Sequence, residues 1–349
     1  MGPLNLKIED KEILVLIGPT GSGKTSVLNL IAGLLKPDSG SVLVEGEDIT
    51  SLPVESRRIG YMFQNPSLFP HLNVYDNIVF GLTKKGRKDN YGEIKRLIED
   101  LGISHLTNRY IQGLSGGEMQ KISLARMLVA KPKIMLMDEP LAHLDTPTKI
   151  KLRIELRRVL TKQGLPTIYV THFEEDIYAL ADSLGVLQNG VIEYTAKLES
   201  MLSFQNNPSP SFLFDVISAG SNYLEGYVEK SNRGVTTFNI GSHSLEAIGN
   251  YPIGCRIAIL VRPEDIILSK ELLKTSARNV VKAKVANITN FQAGVLNIHL
   301  IIEYRFHIIS RITEKARTDL QIKKDDYVYA IFKASSPQVV REEYLDDKI

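Results

Sequence analysis

The sequence predicts an α/β domain with a parallel sheet, followed by a small all-β domain. Three observations carry that prediction. The apolar run Ile13–Ile17 leads through a glycine-rich turn, Gly18-Pro19-Thr20-Gly21-Ser22-Gly23-Lys24-Thr25, into the helical spacing of Val27, Leu28, Ile31, Leu34 and Leu35. Apolar runs at 134–137, 167–170, 184–187 and 191–194 then alternate with helical patterns at 147–163 and 173–182, the order of a sheet covered by helices. Beyond residue 223 the helical pattern gives way to short β-rich runs, as in a small barrel or sandwich.

In chain order, Leu4, Leu6 and Ile8 alternate within 1–12 and predict an edge strand. A helix is expected over 26–35, a turn at Lys36-Pro37-Asp38-Ser39-Gly40, and strands at 41–45 and 58–63. The texture changes at Gln64. Residues 65–70 read as loop, and 74–81, 92–101 and 115–130 carry helical periodicity without strands between them, so 66–130 is expected to be a helical subdomain within a domain spanning 1–202. Lys151, Arg153, Arg157 and Arg158 on the helix 147–163 read as a solvated face. A linker is expected at 203–222, around Asn206-Asn207-Pro208-Ser209-Pro210-Ser211. The β runs at 224–229, 235–240, 255–262, 280–289, 294–302, 304–310 and 327–333 make 223–349 the β-rich domain.

Composition narrows the function classes. With 42 Lys+Arg against 40 Asp+Glu, a net charge of +2 gives no broad electrostatic case for nucleic acid. The single cysteine, Cys255, excludes an intrachain disulfide framework and a cysteine zinc cluster, and fits a reducing cytosol. No apolar run approaches the ~18 residues of a membrane span, and the first residues do not resemble a signal peptide, so work at a membrane would need a partner.

The turn at 18–25 fits G-x-x-x-x-G-K-[ST]. Its glycines let backbone N–H groups close around phosphates at a helix N-terminus. Lys24 would reach the β- and γ-phosphates, Thr25 would ligate Mg²⁺, and Gly18, Pro19, Thr20, Gly21, Ser22, Gly23 and Ser26 would complete the cradle. Asp138 and Glu139 end an apolar strand. Alone they would more often cap a helix; with a phosphate loop upstream, Asp138 is placed to hold Mg²⁺ and Glu139 to polarise an attacking water. Leu114-Ser115-Gly116-Gly117-Glu118-Met119-Gln120 puts two glycines at a helix start, a second anion-binding surface with the Ser115 hydroxyl facing outward.

With that last string the sequence resembles the ATP-binding-cassette family, whose signature stands roughly ninety residues after the phosphate loop and roughly twenty before the acidic pair. The resemblance implies a P-loop NTPase cassette with a helical subdomain, using ATP and Mg²⁺. It implies a pair of subunits in which Ser115, Gly116 and Gly117 of one copy close on the ATP of the other. Gln64 matches the family glutamine that contacts Mg²⁺ and the attacking water, Asp145 the loop facing the opposite site, and His172 the histidine that bonds the γ-phosphate. Family members usually stack adenine on an aromatic residue of an extra N-terminal strand. This chain has no aromatic residue before Tyr61, so an upstream extension or a weakened nucleotide affinity is expected.

The β-rich domain resembles that of importer ATPases serving binding-protein-dependent permeases. Val261-Arg262-Pro263-Glu264-Asp265-Ile266 is similar to a string found across that group. Thr275-Ser276-Ala277-Arg278-Asn279 and Phe332-Lys333-Ala334-Ser335-Ser336 resemble the OB-like TOBE/MOP barrel of molybdate-binding proteins. There Ser276, Arg278, Lys333, Ser335 and Ser336 would supply donors to a tetrahedral dianion. Where that pattern often has a serine, Ile312-Thr313-Glu314-Lys315-Ala316 is expected to be a loop whose Glu314 would repel an anion facing it. The implied protein is an ATPase on the cytoplasmic side of the cell membrane. It would energise molybdate or tungstate import with permease subunits and an extracytoplasmic oxyanion-binding protein, and accumulated oxyanion would slow it. Importers of sulfate, iron, polyamine or sugar, a non-transport cassette ATPase and an oxyanion sensor are the alternatives.

Overall fold

Strand β1 (Ile13–Ile17) is five consecutive buried residues, as a parallel strand covered on both faces requires. The computed structural model describes residues 2–198, 200, 221–303 and 306–343. The chain divides into two units, Met1–Phe212 and Leu213–Ile349. In the first, β1 passes through the glycine-rich turn into α1 (Lys24–Ala32), which buries Val27, Leu28 and Ala32. The helix stops short of the expected 35 because Gly33, at φ 83°, turns its N–H back to the carbonyls of Asn29 and Leu30. Arg57, 4% exposed, closes the same end, donating to the carbonyls of Leu30, Ile31, Thr50 and Leu52.

Two expected strands change. Residues 2–9 join no ladder; Leu4, Leu6 and Ile8 still pack half-buried against the cluster around Leu16, Val27 and Leu28, so their alternation reports side-chain packing without a backbone partner. The run at 41–45 contracts to a hairpin of β2 (Leu43–Val44) and β3 (Glu47–Asp48). After β4 (Ile59–Met62) come α2 (Val74–Ile78), α3 (Lys84–Asp89), α4 (Tyr91–Asp100) and α5 (Gly116–Val129), of which α3, with no buried residue, had no periodicity to announce it. Next are β5 (Ile134–Asp138), α6 (Thr146–Gln163), β6 (Thr167–Val170), α7 (Glu174–Leu180), β7 (Ser183–Gln188) and β8 (Val191–Lys197).

The sheet order is β4-β5-β6-β1-β7-β8, parallel except for the β7–β8 hairpin. The carboxyl ends of β4, β5, β6 and β1 therefore open along one edge, where sheets of this kind bind ligands. The basic residues of α6 are not uniformly solvated. Arg153, 3% exposed, bonds Asp176, and Arg157 donates to Leu180 O and Asp182, so two of the four cations anchor α7 and the segment after it.

The described part of the second unit begins just inside the expected linker at 203–222, most of which lies outside the described residues. Its strands are β9 (Asn222–Asn232), β10 (Val235–Ile240), β11 (His243–Ile248), β12 (Arg256–Val261), β13 (Ile267–Ser269), β14 (Asn279–Gln292), β15 (Val295–Ile302), β16 (Phe306–Thr313), β17 (Tyr327–Phe332) and β18 (Gln338–Glu343), with α8 (Glu314–Asp319) between β16 and β17. Two antiparallel sheets, β11-β10-β9-β12-β18 and β13-β17-β14-β15-β16, enclose one core containing Phe238, Ile257, Val285, Ile298 and Phe332. Strands β11, β13 and β18 were not expected; β13 is only three residues long, and β11 carries His243, Ser244 and Glu246 between its apolar positions. The expected loop at 312–316 is the end of β16 and the start of α8, whose Ala316 N–H is capped by Thr313 Oγ1.

Candidate functional site

Three adjacent strand ends, those of β5, β6 and β1, bring Lys24, Thr25, Asp138, Glu139 and His172 together. After β1, the Lys24 ammonium donates to the carbonyls of Gly18 (2.8 Å) and Pro19 (3.0 Å), so the loop is curled around its own lysine. A Cβ at Gly18 would lie 2.0 Å from Leu187 O, which fixes glycine there. Ser26 lies in the first turn of α1, and Ser22, 5% exposed, has a hydroxyl without a partner among the described residues. A buried orphan hydroxyl inside a phosphate-type loop is a group awaiting a ligand.

The end of β5 faces this loop. Thr25 Oγ1 donates to Asp138 Oδ2 at 2.9 Å across 113 residues of sequence, one hydroxyl and one carboxylate converging as hard oxygen ligands do. Burial pushes the Asp138 carboxyl up despite the Thr25 bond and nearby Lys24, and burial lowers the Lys24 ammonium despite Glu139 and Asp138. Both shifts mean that desolvation outweighs the pairing present, and a bound cation with its phosphates would supply the difference. The donor set fits Mg²⁺ and a nucleotide triphosphate.

Glu139 follows with φ 45°, an uncommon conformation for a side-chain-bearing residue, held by its N–H to Val170 O. That turn brings Glu139 Oε1 within 3.1 Å of His172 Nδ1, which lies just beyond the end of β6. The preceding Thr171 donates to Asp176 Oδ2 (2.7 Å), whose other oxygen accepts from Arg153 Nε (2.5 Å), while Tyr169 donates to Asp176 at 3.3 Å. This buried network anchors the backbone on either side of His172. Its members were missed in the sequence because a buried arginine cannot be told by spacing from neighbouring cations on the same helix, of which Lys151 and Arg158 are exposed. Gln64, two residues beyond β4, is exposed, and its carbonyl accepts from Gln120 Nε2 at 3.4 Å.

The Ser115 string has a local role that spacing did not show. Ser115, an exposed residue, caps α5, and its hydroxyl and N–H are bonded to Glu118 in a capping box. Those bonds hold the Glu118 carboxyl below its ordinary value. The two glycines answer a packing demand: a Cβ at Gly116 would stand 2.7 Å from Leu144 Cδ2, and one at Gly117 2.8 Å from Thr148 Cγ2. Asp145 caps α6 through the Thr148 N–H, with its carboxyl lowered by Thr148.

In the second unit the two expected strings meet, because Asn279 pairs with Phe332 at the start of the β14–β17 ladder. Asn279 is structural: fully buried, it bonds the Glu246 backbone on β11 and, at 3.4 Å, the Lys333 carbonyl. Ser276, Arg278, Lys333 and Ser335 are exposed and Ser336 half-buried, with no side-chain partner among the described residues. Glu314, whose N–H bonds Gly294 O, sits at the far end of the fourteen-residue β14, so within one chain it does not face this cluster.

The chain matches the ABC transporter family model over residues 1–142 and the TOBE domain model over 275–337, whose limits enclose both strings. It is similar to the molybdate/tungstate import ATP-binding protein WtpC of Pyrococcus horikoshii, 38% identical over 96% of this chain and 94% of that protein. The spermidine/putrescine import ATP-binding protein PotA of Clostridioides difficile is 33% identical over 93% of this chain and 90% of that one. Among solved structures, cbiO1 from Clostridium perfringens, part of the ABC transporter complex cbiONQ, aligns at 26% identity and a TM-score of 0.53, covering 57% of this chain and 82% of that chain. No helix among the described residues is long and apolar enough to cross a membrane. A lysine-curled phosphate loop facing an aspartate, with a glutamate–histidine pair on the next strands, is thus matched by likeness along nearly the whole chain, and the chain belongs to the ABC transporter family of ATP-binding proteins.

Proposed function

We propose that this chain is the ATP-hydrolysing subunit of an importer for molybdate or tungstate. The ATP-binding domain would occupy 1–202 with its helical subdomain at 66–130, and the regulatory β-rich domain 223–349. The observation that carries the ATPase reading is the convergence of Lys24, Thr25–Asp138 and Glu139–His172 at three adjacent strand ends. Lys24 balances phosphate charge, Glu139 accepts the proton of the attacking water, and His172 orients Glu139 and donates toward the γ-phosphate. Mg²⁺, held by Thr25, Asp138 and Gln64, would neutralise charge on the β- and γ-phosphate oxygens. Ser115, Gly116, Gly117 and Asp145 would act on the site of a second copy, and permease subunits would dock beside 64–75, placing the protein on the cytoplasmic face of the cell membrane.

The cargo reading rests on the relative at 38% identity and on the character of the second unit's cluster. Two cations and three hydroxyls suit a dianion, whereas a polyamine would need carboxylates there. Oxyanion held by this cluster would slow the ATPase, a coupling that must be reciprocal. The test uses the purified full chain. Mg²⁺-dependent ATP hydrolysis is expected to fall at least about a hundredfold in Glu139→Gln while ATP binding persists. Calorimetric titration is expected to show saturable binding of tungstate and molybdate, and none of spermidine. Undiminished hydrolysis by Glu139→Gln sinks the assignment of the base, and spermidine binding in place of tungstate sinks the cargo.

A further inference from the structure

The His172 side chain is 54% exposed, and its polar partner among the described residues is Glu139 Oε1, 3.1 Å from Nδ1. One contact does not fix a ring that turns about two side-chain bonds. A second restraint comes from its neighbour in sequence. The Phe173 ring stands with its centroid 4.0 Å from the imidazole centroid, tilted by 36°, and the Lys149 ammonium at the start of α6 lies 4.0 Å from the same Phe173 centroid. Phe173 is also an unexpected residue for its place. It is the N-cap of α7, a position that favours Ser, Thr, Asp or Asn because their side chains accept a backbone N–H, and Phe173 forms no such bond. Its backbone is nonetheless pinned: Thr171 Oγ1 accepts the Phe173 N–H at 3.0 Å, and the Phe173 carbonyl accepts the Asp176 N–H at 3.2 Å. A helix that forgoes its cap to set an aromatic ring beside a site histidine breaks a local rule where the gain lies in the site.

We propose that Phe173 is a positioning residue whose ring, steadied by the Lys149 ammonium, holds the His172 imidazole against Glu139. The proposal rests on the ATPase reading above, in which His172 meets the γ-phosphate and Glu139 the attacking water. Tilted ring contact and a cation over a ring face are both attractive, so each partner narrows the orientations open to the next. The restraint is made by the chain itself, so the orientation of the imidazole does not have to be frozen anew at each turnover. Loop N–H groups and Lys24 hold the rest of the triphosphate, so a loosened imidazole shows in kcat more than in KM.

The experiment follows the full chain by ATP hydrolysis, thermal melting and the imidazole proton resonances of His172, assigned by their absence in His172→Gln. Wild-type turnover that disappears in Glu139→Gln establishes the underlying reading first. A chain that hydrolyses no ATP sinks that reading and this one with it, whereas normal turnover beside unmoved His172 resonances sinks this one alone. Two variants remove the ring: Phe173→Asn supplies the missing cap, and Phe173→Leu keeps the apolar bulk. Both are expected to shift the His172 resonances downfield as the ring current is lost, to keep KM for ATP within about twofold, and to lose about three- to tenfold in kcat, whichever of them melts higher. Phe173→Tyr keeps the ring and is expected to keep kcat within about twofold and the resonances in place. Lys149→Met is expected to cost less than either ringless variant, because it acts through the ring. The inference is overturned by a wild-type kcat in both ringless variants, by a kcat that follows melting temperature across the series, by an equal loss in Phe173→Tyr, or by a larger loss in Lys149→Met than in Phe173→Leu.

Discussion

The nucleotide site and the cluster at the start of the β14–β17 ladder are both polar, but they are built in opposite ways. In the first, the side chains that matter are already bonded to each other or to backbone: Lys24 to its own loop, Thr25 to Asp138, Glu139 to His172. In the second, Arg278, Lys333, Ser276 and Ser335 stand exposed, and only Asn279 behind them is fixed. A site assembled within one chain is held by folding and can act on any ligand that fits. An unpaired cluster at a strand end has to recruit its remaining partners from a ligand or from a second copy, which suits a sensor more than a catalyst.

The sharpest way to break that contrast is to remove the scaffold of the assembled site. Arg153→Met leaves the Asp176 carboxylate buried at 1% exposure without its cation. Breaking such a pair from one side costs about 3–5 kcal/mol. Thermal or urea unfolding of the variant is expected to show that loss, and Arg153→Met/Asp176→Leu, which removes both charges, is expected to recover much of it. A single variant as stable as wild type would show that the network does not support the segment before His172.

The two regions also differ in how much of them could be read in advance. The phosphate loop, the acidic pair and the alternation of strands with helices were legible because each is a local pattern. Spacing said less where residue type and partner are decoupled. Gly116 and Gly117 read as an anion surface, and within one chain they also admit Leu144 and Thr148 at close range. Arg57 carried no signal at all, since its side-chain partners among the described residues are four backbone carbonyls in two separate segments. In the second unit, long alternating strands such as β10 and β15 announced themselves, while β13 was too short to hold a period.

A milder change tests the open cluster. Arg278 is exposed and unpaired among the described residues, so Arg278→Ala is expected to shift stability by no more than about 0.5 kcal/mol in anion-free buffer. Wild-type protein is expected to melt higher as tungstate is added, by mass action on the folded state, and the variant to lose that response. A variant that responds as wild type would move the anion elsewhere. A variant destabilised without anion would mean that the cluster is assembled after all.

The smallest effect lies on β15 and β16. His299 and His307 share one face of the second sheet; burial holds the half-buried His299 imidazole below the ordinary histidine value, with His307 adding to the effect, and partial desolvation lowers the more exposed His307 as well. A histidine depressed in the folded state binds its proton more readily when unfolded. The unfolded chain therefore takes up more protons as the pH drops below 6.5, and the folded state loses stability there. Above that pH the contribution is fully present and flat. Melting temperature is expected to decline from pH 7 toward pH 5, and less so in His299→Gln, which can still bond the Thr289 hydroxyl that His299 Nε2 meets at 2.9 Å. An unchanged slope in the variant would show that His299 does not carry the acid sensitivity. In the first unit the raised Asp138 acts in the opposite direction: its folded form takes up its proton before the unfolded form does, which relieves the cost of its burial as the pH falls. The two units thus respond to acid with opposite signs at these groups, and a melt that resolves them separately reads each without the other.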